Sequence, residues 1–470
     1  MFNIRNFVFG LCLLGPIISC SVFAVTFEQA MTYYGNKQYE QAYGAFEELA
    51  ALGNERAQLN LGVMYARGEF VERDFVESAA WLKLSNDTLR NDSATKFLKI
   101  ISAKLSEEDQ STANARHQEL SVKYGREAVN QRLFPESAID EVSEFAEAVP
   151  LKKRRPKFPR MELYVPGIVD IQYSIATDGT VRNITVLNAT ENVFARSSIE
   201  AIRHNLFKPA TINGKPVPES GRRARFNYTL SGDKLNAKGL QTVVDPLREK
   251  AEQGGGLDKY LYAYTLSMLK SAVGVLDDSE GASLDPAADW FKKAAQDGNR
   301  LAKFELGLDL SYGKQCRADS KKSYFWLEQA ADEGVMDAQV FLGSELLHGG
   351  RFEKDVDKGL EMLARAADGG YDDAILKLAW IMATHPDANV RNPQKALAYL
   401  NRFNNDDYID ELTVFETQAV VYALTGKNAD AKKALKKAMK YRKKYELPDG
   451  ISGDIAKAFD AGKPYLQDIL

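Results

Sequence analysis

Apolar positions recur at intervals of three and four along most of this chain, the spacing of helices with one buried face; the interval drops to two only in a stretch near the middle. The helical part also repeats itself. "AAQDG" begins at Ala294, "AADEG" at Ala330 and "AADGG" at Ala366, 36 residues apart, and Ala302, Ala338 and Ala374 keep the same step, as do Leu306, Leu342 and Leu378. Far upstream, Gly53, Ala57, Gly62, Gly68, Asp74 and Trp81 stand at the offsets of Gly298, Ala302, Gly307, Gly313, Asp319 and Trp326. A period of this length marks a solenoid, in which no unit can bury its apolar face without its neighbours. Each unit reads as an antiparallel helix pair. Small residues in the first helix (Ala57 and Gly62, Ala302 and Gly307, Ala338 and Gly343) let the second approach closely, although they weaken the helix itself. Asp74, with Glu77 at capping-box spacing, begins the second helix, and a glycine suited to a left-handed cap ends it. Trp290 and Trp326 recur with the repeat, so core packing is expected of them rather than ligand stacking. Cys316 takes the slot of Val71 and Phe352 and reads as a small buried hydrophobe.

In the middle, Val169, Ile171, Tyr173 and Ile175 alternate with Asp170, Gln172 and Ser174, which predicts a half-buried strand. "TDGT", from Thr177 to Thr180, supplies the Asp-Gly of a tight hairpin, and a second strand follows through Val181, Ile184 and Val186. Ala195, Ile199, Ile202 and Leu206 form a helical stripe, predicting a helix over 193–205 that lies across the sheet. "FKPATINGKPVP" then turns at Asn213-Gly214. Ala224, Phe226, Tyr228 and Leu230 alternate with Arg223, Arg225, Asn227 and Thr229 in a last strand. The expected fold class is therefore multidomain: an α-solenoid of helix-pair repeats plus a small α+β domain of β-β-α-β order.

The repeated residues resemble the Sel-one-like repeat, a tetratricopeptide variant, strongly over 45–86 and 286–370. The middle stretch, with "PKFP", "ATDGTV", "FKPATINGKPVP" and a closing "RARFNYTL", resembles the TonB C-terminal domain over 157–231. Domain limits follow: a signal peptide over 1–24, an N-terminal repeat domain over 25–132, a linker over 133–156, the TonB-like domain over 157–231 and a C-terminal repeat array over 240–470. The first resemblance implies a scaffold that binds proteins. The second implies that a short receptor peptide adds to the last strand as an extra strand, with backbone bonds giving affinity and alternate side chains giving selectivity. Carried onto this chain, the peptide-binding residues are Arg222, Arg223, Arg225, Asn227 and Thr229, whose charge suits an acidic peptide. The alternative is that these arginines only protect an exposed edge.

Composition narrows the compartment. Residues 7–27 carry no charge and follow Arg5, the layout of a secretory signal. Three fates are open: cleavage before Val25, acylation of Cys20 in the lipobox-like "IISC", or retention as an anchor, for which roughly 20 apolar residues suffice. The chain is thus expected in the periplasm, or as an outer-membrane lipoprotein, or anchored in the inner membrane and facing the periplasm. Only Cys316 of the three cysteines lies in the folded part, so no internal disulfide framework exists. Residues 151–230 hold 14 Lys or Arg against 6 Asp or Glu in a chain of net charge -4, a basic module in an acidic scaffold. Within it, the cluster Lys152 to Arg155 reads as a solvated linker, and the lysine run of the last helix pair as a solvated capping face.

Chemistry is scarce. The four histidines, His117, His204, His348 and His385, lack metal-ligand spacing, and no phosphate loop, nucleophile elbow or paired cysteine site appears. No catalytic residue, metal or cofactor is expected, and nucleic acid is not an expected partner of an exported chain. The function expected is a non-enzymatic bacterial envelope adaptor. It would bind an envelope protein or receptor peptide through the TonB-like domain and a second protein through the repeats, with a link to TonB-dependent transport. The alternatives are an atypical energy transducer on an uncleaved anchor and a peptidoglycan-binding envelope protein. A transducer is expected to carry a histidine in its membrane helix and a long proline-rich spacer, and this chain has neither.

Overall fold

The computed structural model describes residues 25–87, 92–135, 145–159, 167–189, 191–212, 214–228, 237–272, 286–313, 317–349, 351–403 and 410–467. The proposed signal, Cys20, Cys316 and Thr229 lie outside these residues.

The first block comprises α1 (Phe27–Gly35), α2 (Tyr39–Ala51), α3 (Glu55–Arg67), α4 (Phe75–Asn86), α5 (Asp92–Ser102), α6 (Glu107–Tyr124) and α7 (Arg126–Leu133). After the sheet module come α9 (Ala237–Gln253), α10 (Gly256–Ala272), α11 (Ala287–Gln296), α12 (Arg300–Tyr312), α13 (Ser320–Asp332), α14 (Met336–His348), α15 (Val356–Asp368), α16 (Asp372–Thr384), α17 (Pro393–Arg402), α18 (Glu411–Leu424), α19 (Asn428–Tyr445) and α20 (Gly450–Asp460). The repeat register becomes contacts. Ser78 Oγ donates to the Gly62 carbonyl at 2.7 Å, and Ser323, in the same slot, to that of Gly307 at 2.8 Å. A Cβ on Gly307 would stand 2.6 Å from Leu327 Cγ, which is why the position takes glycine. Asp74, Asp319 and Asp355 cap the second helices through backbone amides two or three residues on. Glu77 does not complete a capping box; it turns to Arg116 of α6 at 2.5 Å. Trp81, Trp290 and Trp326 are buried.

The two helical blocks join. Asn54 donates to the Gln296 carbonyl at 3.0 Å and to Asp297 at 2.9 Å, while Trp326 Nε1 donates to the Leu133 carbonyl at 2.5 Å with Phe134 packed on its ring.

The module between them contains β3 (Gly167–Ile175), β4 (Val181–Ala189), α8 (Asn192–Ile202) and β8 (Glu219–Tyr228), in an antiparallel sheet of order β4-β3-β8. Val169, Ile171 and Ile175 meet Phe194, Ala195 and Ile202 of α8, so one face of the sheet forms the module's core. The step from Val181 to Ile184, which breaks the two-residue period, is a bulge: Asn183 has φ +49 and the register shifts across it. Gly179 in the Asp-Gly turn has φ +79, and a Cβ there would lie 1.9 Å from the Phe207 carbonyl oxygen. The helix ends at Ile202, three residues before the predicted limit, because Leu206 begins a strand. That strand, β5 (Leu206–Lys208), pairs with β2 (Val149–Lys152), and β6 (Ala210–Ile212) pairs with both β7 (Lys215–Val217) and β1 (Phe145–Ala146). Residues 145–152, read from sequence as linker, are thus built into the module. Their partners lie some 60 residues ahead, where local composition carries no signal.

Candidate interaction site: the outer strand and its cradle

Strand β8 is the edge of its sheet. Each residue opposite it on β3 is fixed, from Gly167 opposite Tyr228 to Ile175 opposite Glu219, and among the described residues no backbone pairs with its other side. Alternation sorts its side chains as the sequence predicts. Ala224, Phe226 and Tyr228 turn to α8, where the Tyr228 hydroxyl bonds Ser198 and the Phe194 carbonyl. Arg223 and Arg225 turn the other way.

That other way is not solvent. The polar face of the sheet lies on the first helices of the C-terminal pairs. Arg225 forks onto Asp170, its cross-strand partner, at 2.6 and 2.7 Å. Arg223 forks onto Glu305 of α12 at 2.8 and 3.0 Å, above the ring of Tyr264 from α10. Burial works against the charge of Arg223, yet Glu305 holds its pKa above the ordinary arginine value. Gln172 reaches Asp337 of α14. Arg222 bonds Glu219 and the Ala148 carbonyl, and Glu219 in turn accepts from the Ala148 amide. The arginines that the sequence assigns to a partner peptide thus each have a carboxylate partner within the chain. Asn227 is placed in β8 opposite Ile168.

A second set of contacts pins the hairpin turn. Asp178 accepts from Thr180 N and Oγ1, and from Arg442 of α19 at 2.8 Å. Arg442 is 1% exposed and also meets Glu416 of α18 at 2.8 Å, the Ser452 hydroxyl at 2.8 Å and the Pro448 carbonyl at 2.9 Å. Arg182 reaches Glu416 at 3.0 Å, and the Asn183 amide donates to Asp410 at 2.8 Å. Burial would raise the Asp178 pKa, but the guanidinia of Arg182 and Arg442 overcome it and hold the carboxyl below its ordinary range. Beside α8, the His204 Nδ1 donates to the Tyr445 carbonyl and its Nε2 accepts from Arg154, so the ring is held neutral; burial, then Arg154, lowers its pKa. Sequence reasoning missed Arg442, which stands inside a lysine run. Its helical position, on the side of Ala434, Ala438 and Tyr445 rather than of the lysines, is the signal that marks it.

Among the described residues no three His, Cys, Asp or Glu side chains converge as metal ligands, and no helix is long and apolar enough to cross a membrane.

Residues 154–230 match the family model of the Gram-negative bacterial TonB protein C-terminal, and residues 55–87, 285–299, 300–335 and 337–371 match the Sel1 repeat. The chain carries a TonB C-terminal module between Sel1 repeats. Both families are protein-interaction modules, and the TonB family associates with the cell envelope. No curated protein matches the chain. Two solved structures are similar in part. One is a protective antigen of uropathogenic Escherichia coli strains displaying an SLR fold (17% identity, 94% of this chain and 73% of that one, TM-score 0.37). The other is a Sel1 repeat protein from Oxalobacter formigenes (22% identity, 50% of this chain, TM-score 0.34), of which this chain covers 65%.

Proposed function

We propose that the protein is a non-enzymatic envelope adaptor whose TonB-like module takes up an extended peptide of an envelope protein along the outer edge of β8, linking it to TonB-dependent transport. The observation that carries this reading is the unpaired edge itself, a strand held in register by β3 on one side and, among the described residues, without a backbone partner on the other. The residues assigned to the peptide remain those of the sequence reading, Arg222, Arg223, Arg225, Asn227 and Thr229. Because Asp170, Glu219 and Glu305 already neutralise the arginines, affinity comes from backbone bonds, and preference for acidic peptides is weak. The C-terminal Sel1 pairs serve as the module's cradle. A second protein docks on Sel1-repeat surface outside this cradle.

The test is hydrogen exchange on the full chain with pooled peptides from envelope receptors. Protection along 219–228, little changed by salt, is expected. Peptides that bind but leave those amides exchanging as before would overturn the reading.

A further inference from the structure

We propose that the lysine face of α19, joined to the basic stretch 152–157, docks the protein on an anionic phospholipid bilayer. This inference is independent of the peptide reading.

Helix α19 exposes Lys432, Lys433, Lys436, Lys437, Lys440, Lys443 and Lys444. At 3.6 residues per turn these fall within about 140° of arc. The opposite side, with Ala431, Ala434, Ala438, Tyr441, Arg442 and Tyr445, packs into the protein, so the lysines are not needed to seat the helix. No ion pair among the described residues joins any of the seven to a carboxylate; Lys437 rests over the Phe415 ring and Lys444 donates to the Tyr445 hydroxyl. Like charges three and four residues apart repel and weaken the helix that bears them. A face that keeps this cost is relieved when an anion covers it.

The second segment is brought alongside by contacts that sequence does not show. Lys152 Nζ lies 2.6 Å from Glu446, the residue that follows α19, and Arg154 reaches Tyr445 through His204. Lys153, Arg155 and Lys157 are exposed there. The basic stretch, read singly as solvated, thus meets the C-terminal end of α19, where Lys443 and Lys444 are exposed, on a chain of net charge -4.

Apolar side chains decide the partner. On β2, which leads into the basic stretch, Val149 is 55% and Leu151 66% exposed, and Lys208, opposite Val149 on β5, is exposed too. Exposed aliphatics beside cations gain nothing from a soluble polyanion, but they enter the boundary between headgroups and acyl chains while the lysines meet phosphates. The aromatic residues of α19, Tyr441 and Tyr445, are buried, so bases would find no stacking platform there.

The experiment is sedimentation of the full chain with vesicles of phosphatidylcholine alone or with added phosphatidylglycerol, at low and physiological salt. The parent chain should bind the anionic vesicles at least about tenfold more tightly, and salt should weaken it. The triple variant Lys436→Glu, Lys440→Glu, Lys443→Glu should lose about tenfold or more, and Leu151→Ser a smaller but measurable part, each with unchanged circular dichroism and melting temperature. Equal binding to both vesicles by the parent chain, as insertion of the apolar N-terminal segment would produce, overturns the proposal, and so does an unchanged triple variant. Full competition by heparin with no effect of Leu151→Ser would assign the face to a soluble polyanion and overturn it equally.

Discussion

Replacing Arg442 with alanine should release the β3–β4 turn from the C-terminal helices. The guanidinium is 1% exposed and contacts Asp178 and Glu416 at 2.8 Å each. With charge centres near 4 Å and an effective dielectric constant of about 20, each attraction is on the order of 4 kcal/mol, and desolvation offsets much of it. The truncation nevertheless leaves two buried carboxylates with Arg182 as their one described cation, and breaking a buried pair in this way costs about 3–5 kcal/mol. For a contact between one module and one end of the array, global unfolding is too coarse an observable. Local opening is the right one. Amide exchange at residues 176–182 should accelerate by roughly a hundred- to several-thousand-fold, at about 1.4 kcal/mol per factor of ten. A cycle with Asp178→Ala should return a coupling of about 1–3 kcal/mol. If exchange in the turn changes by less than about fivefold while α19 and α20 loosen, the arginine braces its own helices and does not clamp the module.

Acid should loosen the same contact. Because the folded Asp178 pKa lies below its unfolded value, its stabilisation is complete above about pH 4 and is lost as pH falls further; exchange at the turn followed from pH 5 to pH 2.5 should show this, and Asp178→Asn should abolish the dependence. Gly307→Ala should destabilise by about 1–3 kcal/mol, read as a lower melting temperature, because its methyl meets Leu327. His348 has its pKa pushed down to about 4 by burial and by Lys377, Lys354 and Arg351, against the Ser344 carbonyl that accepts from its ring. The unfolded chain therefore binds a proton that the folded one refuses between about pH 6.5 and pH 4, so stability should fall by up to about 3 kcal/mol over that window and level off below it. The denaturation midpoint of His348→Gln should lack this component.

How far the sequence carries can be judged at particular residues. Gly62, Gly307 and Gly343 announce tight helix pairs because close approach admits one residue type, and the recurring capping aspartates fix where each second helix starts. Val169 to Ile175 announce a strand and even its buried face. What periodicity cannot give is what covers the opposite face. Arg223 reads as outward and is outward from α8, yet Glu305 waits there, 82 residues along the chain. Asp178 reads as a turn residue and is one, while its burial depends on Arg442, 264 residues away. The extended pairing of 145–152 is hidden for the same reason, since a strand's partner is a property of the fold. For α19 the wheel separates Arg442 from the lysines, so this part of the site was legible in principle.

The placement of the sheet also bears on elasticity. A solenoid bends like a spring, since each repeat touches only its neighbours and small rotations accumulate along it. Here one rigid insert is fastened to Glu305 and Asp337 on one side and to Glu416 and Arg442 on the other, repeats that do not adjoin. The insert acts as a cross-brace. Tension applied at its outer edge would reach α12, α14, α18 and α19 together, so those separated pairs would be loaded in parallel instead of one after another.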